Sequence, residues 1–214
     1  MPSTAISAQG SLFYIGTGTG GAKTISGVTV GNPTQFAATA HGFNNGDRVA
    51  IAALTGADAG TLNGNTYTVT HKETNGFAIE VDTTGLTITA GSGTATPVTF
   101  AKIANVRNLN GYDGVAVEID VSNFDSTAKE YILGLLDPGH ITFECDDYSA
   151  DAGQVALQAH QNSSAIANFK HVLPNLDTRT FSGFVKKFAM TSAVDQVAKR
   201  QAEIRISGSV TKTP

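Results

Sequence analysis

Tryptophan is absent, cysteine occurs once, and charged side chains make up only 15% of the 214 residues. Each scarcity removes a class of protein. A single thiol, Cys145, builds neither an internal disulfide framework nor a thiolate metal site. No stretch approaches the roughly 20 apolar residues that span a bilayer as a helix. Met1 to Gly10 shows neither a basic segment nor an apolar run, so no signal peptide is expected. Fourteen bases against 18 acids give a net charge of −4, which argues against a generally basic nucleic-acid binder. Soluble domains usually devote about a quarter of their residues to charge. Here Gly, Ser, Thr, Ala and Asn take that place, the composition of a turn-rich, mainly β chain.

The charge that is present is segregated. Asp113 to Asp151 holds ten acids against one base, Lys129, a net −9. Arg179 to Pro214 holds seven bases against Asp195 and Glu203, a net +5. Two readings are open. The segments lie side by side and neutralise each other within one fold, or they meet across a subunit interface, where opposite potentials steer encounter and fix register. In the second case Lys186, Lys187, Arg200 and Arg205 form its basic side.

Hydrophobic period assigns the elements. Ser11 to Ile15 reads as a short strand, followed by the glycine-rich run Gly16–Gly21, taken as a flexible loop. From Ser26 to Pro97 the texture is Thr/Gly/Ala/Asn-rich, with turn signals at Asn44–Asp47, Asn63–Asn65 and Thr84–Gly85. That stretch is expected to form a compact all-β module. After it, Val115, Val117, Ile119 and Val121 alternate with polar residues, a strand with one dry and one wet face. Ile141, Phe143 and Cys145 do the same, as do Ile204, Ile206 and Val210. Further β-type runs cover Asn168–Leu173 and Phe181–Met190. Two helices fit between the strands. Ala128, Tyr131, Ile132, Leu135 and Leu136 fall on one helical stripe, with Asp125 as N-cap and a stop at Asp137–Gly139. The second helix runs from Ala152 to Asn162, with Asp151 and Gln154 spaced as a capping box.

None of the patterns that could carry chemistry survives inspection. Gly16–Gly21 lacks the Gly-Lys-Ser/Thr ending of a phosphate loop and no helical pattern follows it. The five histidines, His41, His71, His140, His160 and His171, show no helical i, i+4 pair. His140 and Glu144 stand two strand repeats apart, too far to share a metal. Asp146, Asp147 and Asp151 lack the glycine and the closing glutamate of a calcium loop. Cys145 falls on an apolar strand face, an inert core thiol. No Gly-x-Ser-x-Gly elbow occurs. The chain is therefore not expected to be an enzyme, and no metal or cofactor is expected.

Several segments occur in an order that resembles the major tail tube protein of long, non-contractile-tailed bacteriophages, the lambda-like family. They are VEIDVSNFDS over 117–126, AKEYILGLLDPG over 128–139, ITF over 141–143, a helix rich in Ala and Gln, and a Leu173–Pro174 step. FSGF over 181–184 and IRISGSVT over 204–211 complete the series. The likeness covers about residues 1–25 and 98–214. The stretch between resembles the small β-barrel module first named in ubiquitin-activating enzymes and also found in phage structural proteins. It is carried by HGF at 41–43, GDRV at 46–49, LNG at 62–64, YTV at 67–69, FAI at 77–79 and DTTG at 82–85. It contains no cysteine and implies a fold without ubiquitin chemistry.

The resemblance implies a mainly β chain in three segments. Residues 1–25 and 98–214 form a tail-tube β-sandwich or partial barrel with one or two helices. Residues 26–97 form an inserted β-module, projecting outward because a domain of its size would block the bore. It further implies hexameric rings stacked head to tail, a tape measure protein in the lumen, and tail-tip and terminator proteins at the ends. Double-stranded DNA passes through during ejection without sequence-specific contact, and no membrane is involved. The place is the virion tail, assembled in the host cytoplasm. Glu118, Asp120, Glu144 and Asp146, on the wet faces of two strands, are the candidate lumen or interface acids. A carbohydrate-binding phage adhesin or fibre module is the alternative, disfavoured by the missing Trp and the 7% aromatic content. A secreted β-type hydrolase is disfavoured because the acids read as strand faces and helix caps rather than a paired cleft.

Overall fold

The computed structural model describes residue 5 and residues 7–213, so the N-terminal signal reading and the extreme ends of the expected segments lie partly outside the described residues. In chain order the strands are β1 Leu12–Thr19, β2 Lys23–Thr24, β3 Gly27–Thr29, β4 Thr34–Ala37, β5 Arg48–Ala52, β6 Thr66–Thr68, β7 Gly76–Ile79 and β8 Thr94–Lys102. They continue as β9 Val106–Gly111, β10 Val115–Asp120, β11 Tyr131–Asp137, β12 His140–Asp146, β13 Ala167–Val172, β14 Thr178–Thr191 and β15 Lys199–Thr213, with one α-helix, α1 Ala152–Ser163. The fold is mainly β, as its composition implies. No described helix is long and apolar enough to cross a membrane.

The chain divides into two compact units. The first takes the described residues up to Ile103, with Asn168–Thr180 and the described residues from Thr211. Its main sheet runs β6-β5-β8-β1-β13, with β2 beside β8, and a second sheet runs β3-β4-β7. Strand β8 serves two partners. Its first half pairs with β5, from Ala52↔Thr94 to Val49↔Pro97, and its second half pairs with β1, from Thr19↔Val98 to Tyr14↔Lys102. One hydrophobic cluster is built wholly from residues between Ile25 and Ala95, with Phe36, Phe43, Ile51, Leu62, Phe77 and Ile79 at its centre. Polar bonds tie these strands to β13 and β14. Buried Arg48 donates through Nε and Nη2 to Asn168 Oδ1, and Thr68 Oγ1 meets Thr180 Oγ1 at 2.7 Å. Burial lowers the Arg48 pKa to about 10. The run Gly16–Gly21 is not the flexible loop expected from its composition. Gly16 to Thr19 belong to β1, with a register shift between Gly16 and Gly18. A Cβ at Gly16 would meet Val98 Cγ1 at 3.0 Å, so glycine serves close strand packing here.

The second unit comprises Ala104–Ala167 and Phe181–Val210. Its sheet runs β14-β15-β12-β9, and β10-β11 form a separate two-stranded ribbon. Alternation decides the burial. Ile141, Phe143 and Cys145 of β12, and Ala202, Ile204 and Ile206 of β15, all turn inward, joined by Phe181, Val185 and Phe188 of β14. Cys145 is fully buried and burial pushes its thiol up to about 11, which suits the inert role read from its position. Helix α1 begins at Asp151, whose Oδ1 accepts from Gln154 N at 2.9 Å and Ala104 N at 3.2 Å. The capping box is only half formed. Gln154 sends its side chain away, accepting from Tyr148 N and donating to the carbonyls of Asp146 and Ala104.

The helix expected over Ala128–Leu136 is instead strand β11, and Asp125 sits in a turn, its N–H donating to Asn123 Oδ1. The register explains the misleading pattern. Tyr131 and Leu136 lie on one face of the ribbon and Ile132 on the other, with a bulge between Leu133 and Leu136, so both faces carry apolar side chains and simple alternation is lost. A bulged strand thereby mimics helical spacing.

Replacing Asp151 with Ala removes both bonds of the α1 cap. Urea denaturation should show a loss of about 1–2 kcal/mol, with Asp151→Asn retaining most of it; equal losses in both variants would show that the carboxylate does not cap.

Candidate assembly surface

Among the described residues, the β10–β11 ribbon leaves a large apolar surface uncovered. Val115, Val117, Leu133 and Leu136 are 65–71% exposed, Leu135 is 93% exposed and Phe124, at the ribbon tip, is fully exposed. Partners across an antiparallel pair share a face. Glu118 and Asp120 therefore lie on one side with Leu133, Leu136 and Tyr131, while Ile119 faces the other side with Ile132. The clean dry and wet faces expected for β10 are absent, because β11 supplies apolar side chains to both. An isolated two-stranded ribbon is marginal in water, so this one requires a cover.

Its root is stiff. The connector Gly111–Gly114 crosses the turn Asp137–His140, and a Cβ at Gly114 would overlap Asp137 O, while one at Gly139 would overlap Asp113 Oδ1. Gly139 also adopts φ +79°, where side chains are strained. Asp113 Oδ1 accepts from His140 N at 2.9 Å, and Asp137 Oδ1 accepts from Gly139 N at 2.9 Å. Arg205 donates to Asp137 Oδ2. These bonds hold both carboxyls below their usual range, Asp113 chiefly through the His140 N–H and Asp137 chiefly through the Gly139 N–H and Arg205.

The acidic and basic segments meet inside this unit. Glu144 pairs with Lys199 at 2.7 Å, Arg200 with Asp147 at 2.6 Å and Arg205 with Asp137, while Lys186 pairs with Glu203 inside the basic segment. Of the four expected basic interface residues, Lys186, Arg200 and Arg205 thus have carboxylate partners within their own unit. Lys187 instead lines a polar concavity of about 270 Å³ with Asn110, Thr142, Glu144 and Gln201. Of the four candidate acids, Glu144 and Asp146 stand together on β12. Glu118 and Asp120 lie apart from them, on the ribbon. Arg107 binds Asp146 through two bonds of 2.6 and 2.7 Å, and Lys129 binds Asp120 at 2.6 Å. Those cations depress both carboxyls. Among the described residues, no group of three or more His, Cys, Asp or Glu is arranged to hold a metal ion.

The apolar members of β11 were missed because they were assigned to a helix. The usable signal was spacing: an alternating apolar run at 115–121 and a second apolar run at 131–136, separated by a polar stretch, is the spacing of a hairpin.

A family model described as lambda phage tail tube protein, TTP, matches residues 60–213. No curated protein matches the chain significantly. Among solved structures the chain is similar to one from the tail of an empty GTA particle, computed with helical refinement in C6 symmetry. The identity is 16% and the TM-score 0.47, over 54% of this chain and 87% of that one.

A carboxyl with a depressed folded pKa contributes stability that is present above the unfolded value, about 4, and lost as pH falls through the folded value. The thermal midpoint should be level near neutral pH and fall below about pH 4. Asp113→Asn and Asp137→Asn should lower the neutral plateau and flatten the acid decline. Unchanged acid profiles in both variants would remove these carboxyls from the root.

Proposed function

Because this chain belongs to the lambda phage tail tube protein family, structural proteins of the virion tail, we propose that its copies form hexameric rings. Stacked head to tail, the rings build a tube through which DNA is ejected. The observation that carries this reading is the ribbon whose two faces are both apolar and both exposed. One chain offers it no cover, and polymerisation does. Strand β9 ends its sheet, so an open edge is also present for a neighbour to complete. A tape measure protein fills the bore before ejection, and tip and terminator proteins close the two ends.

Glu118, Asp120, Glu144 and Asp146 serve this reading as lumen or interface acids, Glu118 and Asp120 on a ribbon face that a neighbour covers and Glu144 and Asp146 in the lumen. A duplex slides past carboxylates that repel its phosphates, whereas a basic wall would bind them through counterion release. Lysine at Glu144 and Asp146 should slow or block DNA ejection from tails that still assemble; unaltered ejection would remove the two from the lumen.

Residues 26–97 project outward. Support comes from how they join the chain. Thr19 pairs with Val98, and Gly20 N donates to Pro97 O at 2.7 Å, so the insertion leaves and returns at adjacent points of one hairpin. Replacing Gly20–Pro97 by Asn-Gly should close a two-residue turn between β1 and β8 and leave tubes that are thinner in negative stain. Loss of tubes from a folded deletion variant would refute the outward placement.

Assembly itself is tested by electron microscopy and light scattering of the full chain at rising concentration, with tail-tip extract as nucleus. Hollow tubes are expected. Leu133→Lys with Leu135→Lys should abolish them while leaving the circular dichroism spectrum of the monomer intact. Discrete particles from the wild-type chain under every condition would overturn the reading.

A further inference from the structure

We propose that His41 is a proton-operated latch: a proton taken up at Nδ1 releases residues 38–43 from residues 71–76 and bares the aromatic cluster beneath them. The motif His41-Gly42-Phe43 has no part in the assembly surface, and the device works in the single chain.

The imidazole is 2% exposed, and both of its nitrogens are committed. Phe43 N donates to Nδ1 at 3.0 Å, so Nδ1 carries no hydrogen. The one ring hydrogen therefore sits on Nε2, which donates to Glu73 O at 3.0 Å. This pair of bonds fits the neutral ring alone. A second hydrogen, on Nδ1, would point at the Phe43 N–H and turn an acceptor into a donor. It would also set a charge between Phe43 and Phe77, whose ring centroids stand 5.0 and 5.5 Å from that of His41. A buried charge of this kind is costly unless it is paired or reaches water.

The surrounding charges supply no pair. Glu73 offers its backbone carbonyl, while its carboxylate lies over Gly76. On the same turn Lys72 Nζ donates to Asn44 Oδ1 at 2.8 Å and adds a second cation. His71 and Glu80 form an exposed pair at 3.5 Å, which protonation of His71 tightens. Asp47, beyond Phe43, accepts from Asn44 N at 2.9 Å. Strands β4 and β7 carry no titratable side chain.

Besides the His41 bonds, Ala38 N donates to Asn75 O at 2.9 Å and Ala40 N to Asn75 Oδ1 at 3.2 Å. The closed loops also hold two non-glycine residues in the left-handed region, Ala40 at φ +50° and His71 at φ +45°. Such backbone persists only where surrounding contacts over-determine it, so losing the His41 bonds lets both loops relax. Beneath them Phe77 packs on Phe36 and Phe43, with centroids 5.2 and 5.4 Å away. Opening turns this cluster towards solvent while the strands stay paired.

The test is hydrogen exchange of the full chain at about pH 7.5 and about pH 5, on either side of the ordinary imidazole range. Opening linked to one proton gains up to about tenfold per pH unit below that range. After correction for intrinsic rates, amides of 38–43 and 71–76 should exchange at least about tenfold faster at the lower pH, with β12 and β13 unchanged. Equal exchange at both values overturns the latch. His41→Asn keeps an acceptor for Phe43 N and takes up no proton, so its loops should exchange alike at both values. A surviving response in that variant overturns the assignment, as does a response lost in His71→Gln. If His41→Asn does not fold, nitrogen NMR of the wild-type ring decides. A bare Nδ1 is expected at the higher pH. A doubly protonated His41 at the lower pH beneath loops that remain protected overturns the proposal.

Discussion

A two-stranded ribbon has two faces, and burying one of them against its own chain leaves the other to solvent. Here the chain buries neither. The register of β10 against β11 sets Leu133, Leu136 and Tyr131 beside Glu118, Ala116 and Asp120 on one side and Ile132 beside Ile119 on the other. No repositioning of the ribbon on its own unit would cover both sides. The free energy missing from the monomer is therefore available only on association, which ties the assembled state to a local bulge in one strand. The stiff root follows from the same need. A ribbon that swung freely would spend binding energy on being ordered, and the glycine-limited crossing of Gly111–Gly114 with Asp137–His140 removes that cost in advance.

The charge pattern serves the unit before it serves any neighbour. The −9 and +5 segments lie on adjacent strands, β12 and β15, whose register sets Asp146 against Lys199 and Cys145 against Arg200. Exposed pairs of this kind add little stability each. Their effect is to keep two like-charged stretches from repelling themselves apart. Lys187 lines a concavity with Glu144, and Glu118 is set against Leu133.

What could be read in the sequence, and what could not, follows from how far each signal reaches. Strands with one buried face announce themselves by alternation, and β12, β14 and β15 stand where Ile141–Cys145, Phe181–Met190 and Ile204–Val210 put them. The N-cap at Asp151 is equally local and was legible. Strand β11 was not, because apolar side chains on both of its faces, Tyr131 and Leu136 on one and Ile132 on the other, replace alternation by a helix-like spacing. The glycines at 16 to 18 misled for a related reason: composition reports a missing side chain, whereas the cause, Val98 and Thr99 pressed close on the neighbouring strand, is tertiary. The assembly ribbon stayed hidden behind the same error, since a helix at Ala128–Leu136 would have had one face to bury and no demand for a partner.

Strand β8 is shared between two pairings of one unit. Its second half completes the hairpin with β1, and its first half belongs to the pairing with β5 and β2. The chain leaves at Gly20 and returns at Pro97, two points already joined by a hydrogen bond. For the hairpin, the chain between these points is a loop whose length enters closure entropy only logarithmically. For the stretch between those points, a core drawn wholly from Ile25 to Ala95 supplies the burial that offsets its own ordering. The polar bonds from Arg48 to Asn168 and from Thr68 to Thr180 then fix its orientation on the strands that carry it. A buried guanidinium set among neutral oxygens is a poor source of stability but a strict one of geometry, since any other docking angle leaves its donors without acceptors. The stretch is thus held at a set angle within its unit rather than tethered.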